Sequence, residues 1–328
     1  MKNIGVSMAL ARVAVSVSML AAIGPALAAD VFPSQPVRIV IGFPPGGGID
    51  TVARLIAPKL SAAWKQPVIV ENKPGANGVL ATQQVAAAPA DGHTILFGTT
   101  GNLSINPVFR KSLPFDMARD FAPVTQTSSV AFLVMSNPAL PVKNLAELIA
   151  YAKANPGRFS FGSSGTGGLP HLAAELLNRN AGMGGVHVPY KGSAPAMTDL
   201  IGGQVQFMVD AAALGLPNVK SGRVRALATT AASRLSFLPD VPAVAETLPG
   251  FEAVNWYGMV VRAGTPPAAI DAIQTEVARA MQDPEIRAKL VAQGTDPVGS
   301  TPAAFGAFMK SESARWAKVI EESGIERQ

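Results

Sequence analysis

The 328-residue sequence contains no cysteine. No disulfide can brace the fold, thiol chemistry is excluded, and no lipid-bearing cysteine can anchor the chain. Histidine is scarce. His93, His171 and His187 are the three present, and their spacing matches no metal motif such as H-E-x-x-H. Charged residues make up only 15% of the chain. Two of the 27 basic residues, Lys2 and Arg12, precede position 29, which leaves 25 against 22 acidic ones, a net of +3. That balance, with no Lys/Arg stripe, argues against nucleic acid as a partner. After residue 28 no apolar run is long enough to span a bilayer. The P-loop pattern and the G-x-S-x-G nucleophile elbow are both missing. A dinucleotide fingerprint fails because Thr51 stands at its third glycine position, although Glu71 is suitably placed. Nothing gathers a nucleophile, a base and an orienting group, so no catalytic residue, metal or cofactor is expected.

What is present begins with a leader. Lys2 and Arg12 precede an uncharged apolar stretch over 13–23, Gly24 and Pro25 break it, and Ala26-Leu27-Ala28 supplies small residues. This is the order of a cleavable signal peptide, with cleavage expected after Ala28 and Ala29 as the next-best site. The expected product is a freely soluble 300-residue protein of the periplasm. Its low charge and many small residues suit an α/β fold.

Short β-branched runs at 37–41, 68–70 and 94–98 read as strands. Helical patterns follow at 49–60, where Pro58 predicts a kink or restart, and at 76–87. Strand and helix alternate, which predicts a parallel sheet flanked by helices. A second unit starts near Ala122. It has strands at 130–135, 159–161, 186–190, 205–209 and 225–229, and helices at 145–154, 169–181 and 195–201. A strand at 255–261 returns to the first unit, and helices at 267–282 and 302–323 finish the chain.

Two loops stand out. Pro44-Pro45-Gly46-Gly47-Gly48 joins a strand to a helix that Asp50 could cap, and Ser163-Ser164-Gly165-Thr166-Gly167-Gly168 does the same in the second unit. Glycines let a ligand approach the backbone, and a helix start offers unpaired N–H groups and a positive dipole end. Each loop alone is either a tight turn or an anion site. Together they describe two helix N-termini facing each other across a cleft. Thr99-Thr100-Gly101-Asn102, the ring of His171, Asp210 and Tyr190-Lys191-Gly192 fall at the same strand ends. Asp210 would either receive an amine or hydroxyl of a ligand or cap a helix. Lys191 is also explained as a solvated surface charge.

The order of these motifs resembles the Bug family, the extracytoplasmic solute receptors of tripartite tricarboxylate transport. The resemblance runs from Pro36-Val37-Arg38-Ile39-Val40 and Phe43-Pro44-Pro45-Gly46-Gly47 through Val70-Glu71-Asn72-Lys73-Pro74-Gly75-Ala76. It continues in Gly162-Ser163-Ser164-Gly165, His171-Leu172-Ala173, Val188-Pro189-Tyr190-Lys191-Gly192 and Trp256-Tyr257-Gly258. It implies a periplasmic-binding-protein fold of the second structural type, with two α/β domains closing on a ligand. The expected division is a leader at 1–28, a discontinuous first domain at 29–128 and 255–328, and a second domain at 129–254. It also implies a small carboxylate ligand: a dicarboxylate, an acidic amino acid, nicotinate or a similar molecule. The expected partners are membrane subunits of a tripartite tricarboxylate transporter, or a sensor protein, with the receptor itself a monomer. By this resemblance Phe43, Pro44, Pro45, Gly46, Gly47, Ile49, Asp50, Gly101 and Asn102 are first-domain contacts. Ser163, Ser164, Thr166, Gly167, His171 and Asp210 are second-domain contacts. Ile49 departs from the small polar residue expected near this point, and an apolar side chain at the cleft mouth would favour a flatter ligand. The competing reading is an exported hydrolase using a hydroxyl of the 163–166 loop.

Overall fold

The computed structural model describes residues 32–235, 237–322 and 326–328. The leader and both cleavage positions lie outside them. Strands and helices run in the order β1 (Val37–Ile41), α1 (Gly48–Trp64), β2 (Val68–Asn72), α2 (Val79–Ala86), β3 (Thr94–Thr99), α3 (Asn106–Phe109), α4 (Met117–Asp120) and β4 (Phe121–Val130). Next come β5 (Phe132–Ser136), α5 (Leu145–Ala154), β6 (Ser160–Ser163), α6 (Leu169–Asn180), β7 (Val186–Pro189), α7 (Ser193–Ile201), β8 (Phe207–Ala211), α8 (Ala212–Lys220) and β9 (Arg225–Thr229). The chain ends with β10 (Asn255–Arg262), α9 (Pro267–Gln282), α10 (Pro284–Val291), β11 (Thr295–Pro297) and α11 (Pro302–Glu322).

The strands form two sheets, ordered β11-β4-β10-β3-β1-β2 and β7-β6-β8-β5-β9. The parallel sheet expected of the first unit is a mixed one, and the second sheet is mixed as well. β1 pairs in parallel with β2 and β3, but β10 runs antiparallel to β3 and β4. Likewise β6 is parallel to β7 and β8, while β5 is antiparallel to β8 and β9. β5 and β10 each arrive from the other sheet and enter from the opposite end, and β11, antiparallel to β4, runs with β10. The strand expected at 130–135 is β5, and the junction between the sheets falls at Ala131, just inside the expected range. β4 ends at Val130 in the first sheet, and β5 begins at Phe132 in the second.

Two other expectations change. Helix α1 continues through Pro58 to Trp64. Pro58 is exposed, so water can satisfy the Arg54 carbonyl that the missing N–H leaves free. The helix expected from residue 76 starts at Val79, because Ala76 (φ 48°), Asn77 (φ 54°) and Gly78 (φ 86°) form a left-handed turn before it.

Apolar faces of β1, β3, β10 and α1 pack into one core that also takes in Phe132, Phe161, Leu172 and Phe207 around the second sheet. A close approach fixes one glycine on the other face of the first sheet: any Cβ on Gly258 of β10 would collide with the buried Phe305 ring of α11. The parallel strands β1, β3, β6 and β8 all end towards the region where the two sheets meet, and that places their loops together.

Candidate functional site

The loop after β1 is held by Asp50. Its Oδ2 accepts from Gly46 N–H and from Arg54 Nε, both at 2.9 Å, and its Oδ1 accepts from Asn72 Nδ2 at 3.0 Å. Asn72 Nδ2 also donates to the Phe43 carbonyl at 3.1 Å. Burial by itself would raise the Asp50 pKa, but these hydrogen bonds, Arg54 first among them, outweigh it and hold the carboxyl below its usual range. Asp50 therefore does not cap α1. The N-cap is Gly47, which has no side chain to offer, and the first helical bond runs from Thr51 N–H to the Gly47 carbonyl. The N–H groups of Gly48, Ile49 and Asp50 are left without a partner inside the helix. Pro44, Pro45, Gly46 and Gly47 are exposed and Phe43 is half-buried. Ile49 is a correction: its side chain lies in the core, not at a cleft mouth, so only its backbone N–H faces the loop.

The second loop is built alike. Gly168 is the uncapped N-cap of α6, and Leu172 N–H makes the first helical bond, to the Gly168 carbonyl. Pro170 has no N–H, so Leu169 and His171 supply the two free amides of this turn. Ser163 is fully buried, Ser164 half-buried and Thr166 exposed. Ser163 Oγ accepts from Gly165 N–H at 3.2 Å and sits 2.7 Å from His187 Nε2. His171 Nδ1 accepts from Gly167 N–H at 3.2 Å. The two imidazoles stack with ring centroids 3.9 Å apart. Burial, and then the neighbouring His187, pushes His171 down to about 3. Burial pushes His187 down to about 4. Both rings are neutral at pH 7 and brace the loop rather than supply charge. A Ser–His contact is the start of a nucleophilic pair, but Ser163 is sealed from solvent and no carboxylate bonds His187 among the described residues.

The second loop is set against the first unit. Gly167, at φ 78°, lies so close to the Phe109 ring that a Cβ there would overlap it. Gly168 lies beside the Asn77 carboxamide, with Asn77 Oδ1 3.9 Å from where a Cβ would stand. Gly48 is equally confined, since a Cβ on it would stand 2.5 Å from the Tyr257 hydroxyl. Asp210 closes the β8 end. Its Oδ1 accepts from Ala211 N–H at 2.7 Å, while Oδ2 is buried without a partner. Tyr257 feels the Asp210 charge, and burial together with that charge raises its pKa far above the usual phenol range, so it stays a donor.

Both glycine loops and Asp210 stand at strand ends, and the 99–102 stretch is tied up internally. Asn102 is fully buried. Its Oδ1 accepts from Thr99 N–H at 2.7 Å, and its Nδ2 donates to Thr82 Oγ1. Gly101 N–H donates to Thr99 Oγ1. Residues 101–105 form a π-helical turn that fixes this edge. Sequence reasoning missed Asn77, Phe109 and Tyr257. Asn77 is held by Asn106, whose Nδ2 donates to its carbonyl at 3.0 Å. Tyr257 had a signal in the motif Trp256-Tyr257-Gly258, but nothing in the sequence places its hydroxyl at Gly48.

What the arrangement can do is hold an anion with neutral N–H and O–H groups. The model of the tripartite tricarboxylate transporter family receptor matches residues 52–325. Protein BugT of Bordetella pertussis is 35% identical over 323 residues, covering 98% of this chain and 96% of that protein. The solved structure of R. palustris Rpa4515 with adipate has a TM-score of 0.85 at 35% identity, covering 90% of this chain and 99% of that one. MatC from Rhodopseudomonas palustris with bound malate has a TM-score of 0.80 at 31% identity, covering 88% of this chain and 100% of that one.

Proposed function

Because the chain belongs to the tripartite tricarboxylate transporter receptor family, we propose that it holds one small carboxylate between its two sheets and presents it to that transporter's membrane subunits. The family is one of periplasmic solute receptors rather than enzymes, and the two mixed sheets are those of a periplasmic binding protein. Among the described residues no helix is long and apolar enough to cross a membrane.

The observation that carries the proposal is a pair of uncapped helix N-termini, α1 and α6, one in each unit, with the α6 loop set against the first unit through Gly167 on Phe109 and Gly168 beside Asn77. Free amides at helix starts attract a carboxylate without a cation. Phe43, Pro44, Pro45, Gly46 and Gly47 shape one side of the site, and Ser163, Ser164, Thr166 and Gly167 the other. Asp50, Asn102 and His171 hold the backbone that presents the amides. The adipate and malate named for two relatives support a carboxylate as the ligand.

Closure is a rotation of one unit, 29–128 with 255–328, against the other, 129–254. The hinge lies where the chain changes sheet, at 125–130 and 253–256. Removal of the leader after Ala28 or Ala29 delivers the receptor to the periplasm. Ligand binding shifts the open–closed equilibrium towards the form the membrane subunits read.

Thermal melting of the mature protein against a panel of small carboxylates tests this. At a ligand concentration about a hundredfold above Kd, binding to the folded state alone adds about 2.7 kcal/mol, a clear upward shift in Tm. A panel that moves nothing, with a native mass spectrum showing no bound acid, overturns it.

A further inference from the structure

Asp210 is 4% exposed, and its Oδ2 is a buried oxygen with no hydrogen-bond partner. Such a group is destabilising unless something donates to it. The Ser193 hydroxyl, at the start of α7, is near enough to lower the Asp210 pKa but makes no hydrogen bond of normal geometry to Oδ2. Burial pushes the Asp210 pKa up to about 6, and its unpartnered Oδ2 offers an acceptor. Asn255 Oδ1 is a second buried acceptor without a partner, and Asn255 is 8% exposed. It starts β10 two residues before Tyr257, on the same face of the strand. Tyr257 in turn reaches both Gly48 and the field of Asp210. The site is thus polarised. Donors cluster at the starts of α1 and α6, and unpartnered acceptors sit where the chain crosses between the sheets.

We infer that the ligand is a carboxylate whose second polar group is a hydrogen-bond donor, an ammonium before a hydroxyl, and that Asp210 receives it. This rests on the carboxylate reading above and narrows it. The ligand's carboxylate lies against the helix starts and its donor points to the crossing. An unsubstituted dicarboxylate would set its second charge against Asp210, so this receptor discriminates against that class.

The test is calorimetric titration of the mature protein at pH 7 with matched acids that differ by one donor: propanoate, lactate and alanine; succinate, malate and aspartate; adipate and 2-aminoadipate. In at least one set the donor-bearing member is expected to bind about tenfold or more tighter than its parent, with ammonium above hydroxyl. Asp210→Asn is expected to collapse that gap. Parent and substituted acids that bind within about twofold of each other in every set overturn the inference while leaving the carboxylate reading intact. So does a preference that survives Asp210→Asn. If no acid of any set binds and native mass spectrometry shows a bound molecule without a carboxylate, the carboxylate reading fails and takes this inference with it. The unmodified half of the comparison needs no variant, so a poorly folding Asp210→Asn does not block the test.

Discussion

The imidazoles of His171 and His187 stack at 3.9 Å beneath the 163–168 loop, each neutral, each fixing one of its hydrogen bonds. Their pKa values are lowered in the folded state, from 6.5 to about 3 and about 4. Between pH 6.5 and 4 the unfolded chain therefore binds more protons than the native one at these two sites. Stability from the pair is fully present above pH 6.5 and is lost as pH falls. Asp210 acts in the opposite sense, since its raised pKa makes the native state the better proton binder between 3.8 and about 6. Two imidazoles outweigh one carboxylate. The expected outcome is a Tm that falls from pH 7 to pH 4.5, with a shallower fall in His187→Phe. A steeper or equal fall in that variant would show that other groups govern the window.

Gly48 and Tyr257 are matched. Gly48→Ala puts a Cβ 2.5 Å from the tyrosine hydroxyl. It is expected to cost about 1–3 kcal/mol by overpacking and to weaken ligand binding by displacing the start of α1. Tyr257→Phe removes the hydroxyl, so the double variant is expected to recover part of the stability loss. Chemical denaturation of the four proteins reads the coupling, and strict additivity would contradict the contact.

Gly167 carries two constraints, a positive φ and the Phe109 ring. Gly167→Val therefore strains the loop and blocks its approach to the first sheet. Ligand affinity is expected to fall more than tenfold, at a backbone cost of about 1–3 kcal/mol. Small-angle scattering with saturating ligand should show the variant more extended than the parent. Identical scattering curves would remove Phe109 as the closing contact.

Glu312 is buried between two indoles. Its Oε2 accepts from Trp256 Nε1 at 3.0 Å and Trp316 Nε1 at 3.3 Å, and Arg315 pairs with it on the outer side. Glu312→Ala leaves both N–H groups without that acceptor. A loss of about 3 kcal/mol is expected, with a change in tryptophan emission, whereas Glu312→Gln keeps an acceptor and loses less. Equal losses in the two variants would make packing, not hydrogen bonding, the cause.

Much of the first unit was legible because apolar period and turn chemistry agree there. Val37 to Ile41 are β-branched save for Arg38, and the glycines follow at once. β4 was not legible, for a physical reason. Its buried residues include Thr125, Thr127 and Ser128, whose hydroxyls are tied up internally, as by Thr125 Oγ1 donating to the Ser300 carbonyl and Thr127 Oγ1 to the Tyr257 carbonyl. Pro123 falls at a register shift, where a missing N–H is tolerated. Buried polar side chains satisfied from distant strands leave no hydrophobic signal. Helix α8 was hidden by Gly215 and Pro217 within it.

By itself the sequence determined what local chemistry can decide. No cysteine means no disulfide, and strand, glycine loop and helix in succession mean free amides at a helix start. Both glycine loops were readable because each is built from consecutive residues. Tertiary structure alone decided which groups face each other. It turned Ile49 into the core, gave Asp50 to Gly46 and Arg54, stacked two histidines sixteen residues apart, and brought Tyr257 to Gly48. Those relations join residues distant in sequence through sheet pairing and packing, and no local pattern encodes which of a side chain's potential partners the fold will deliver.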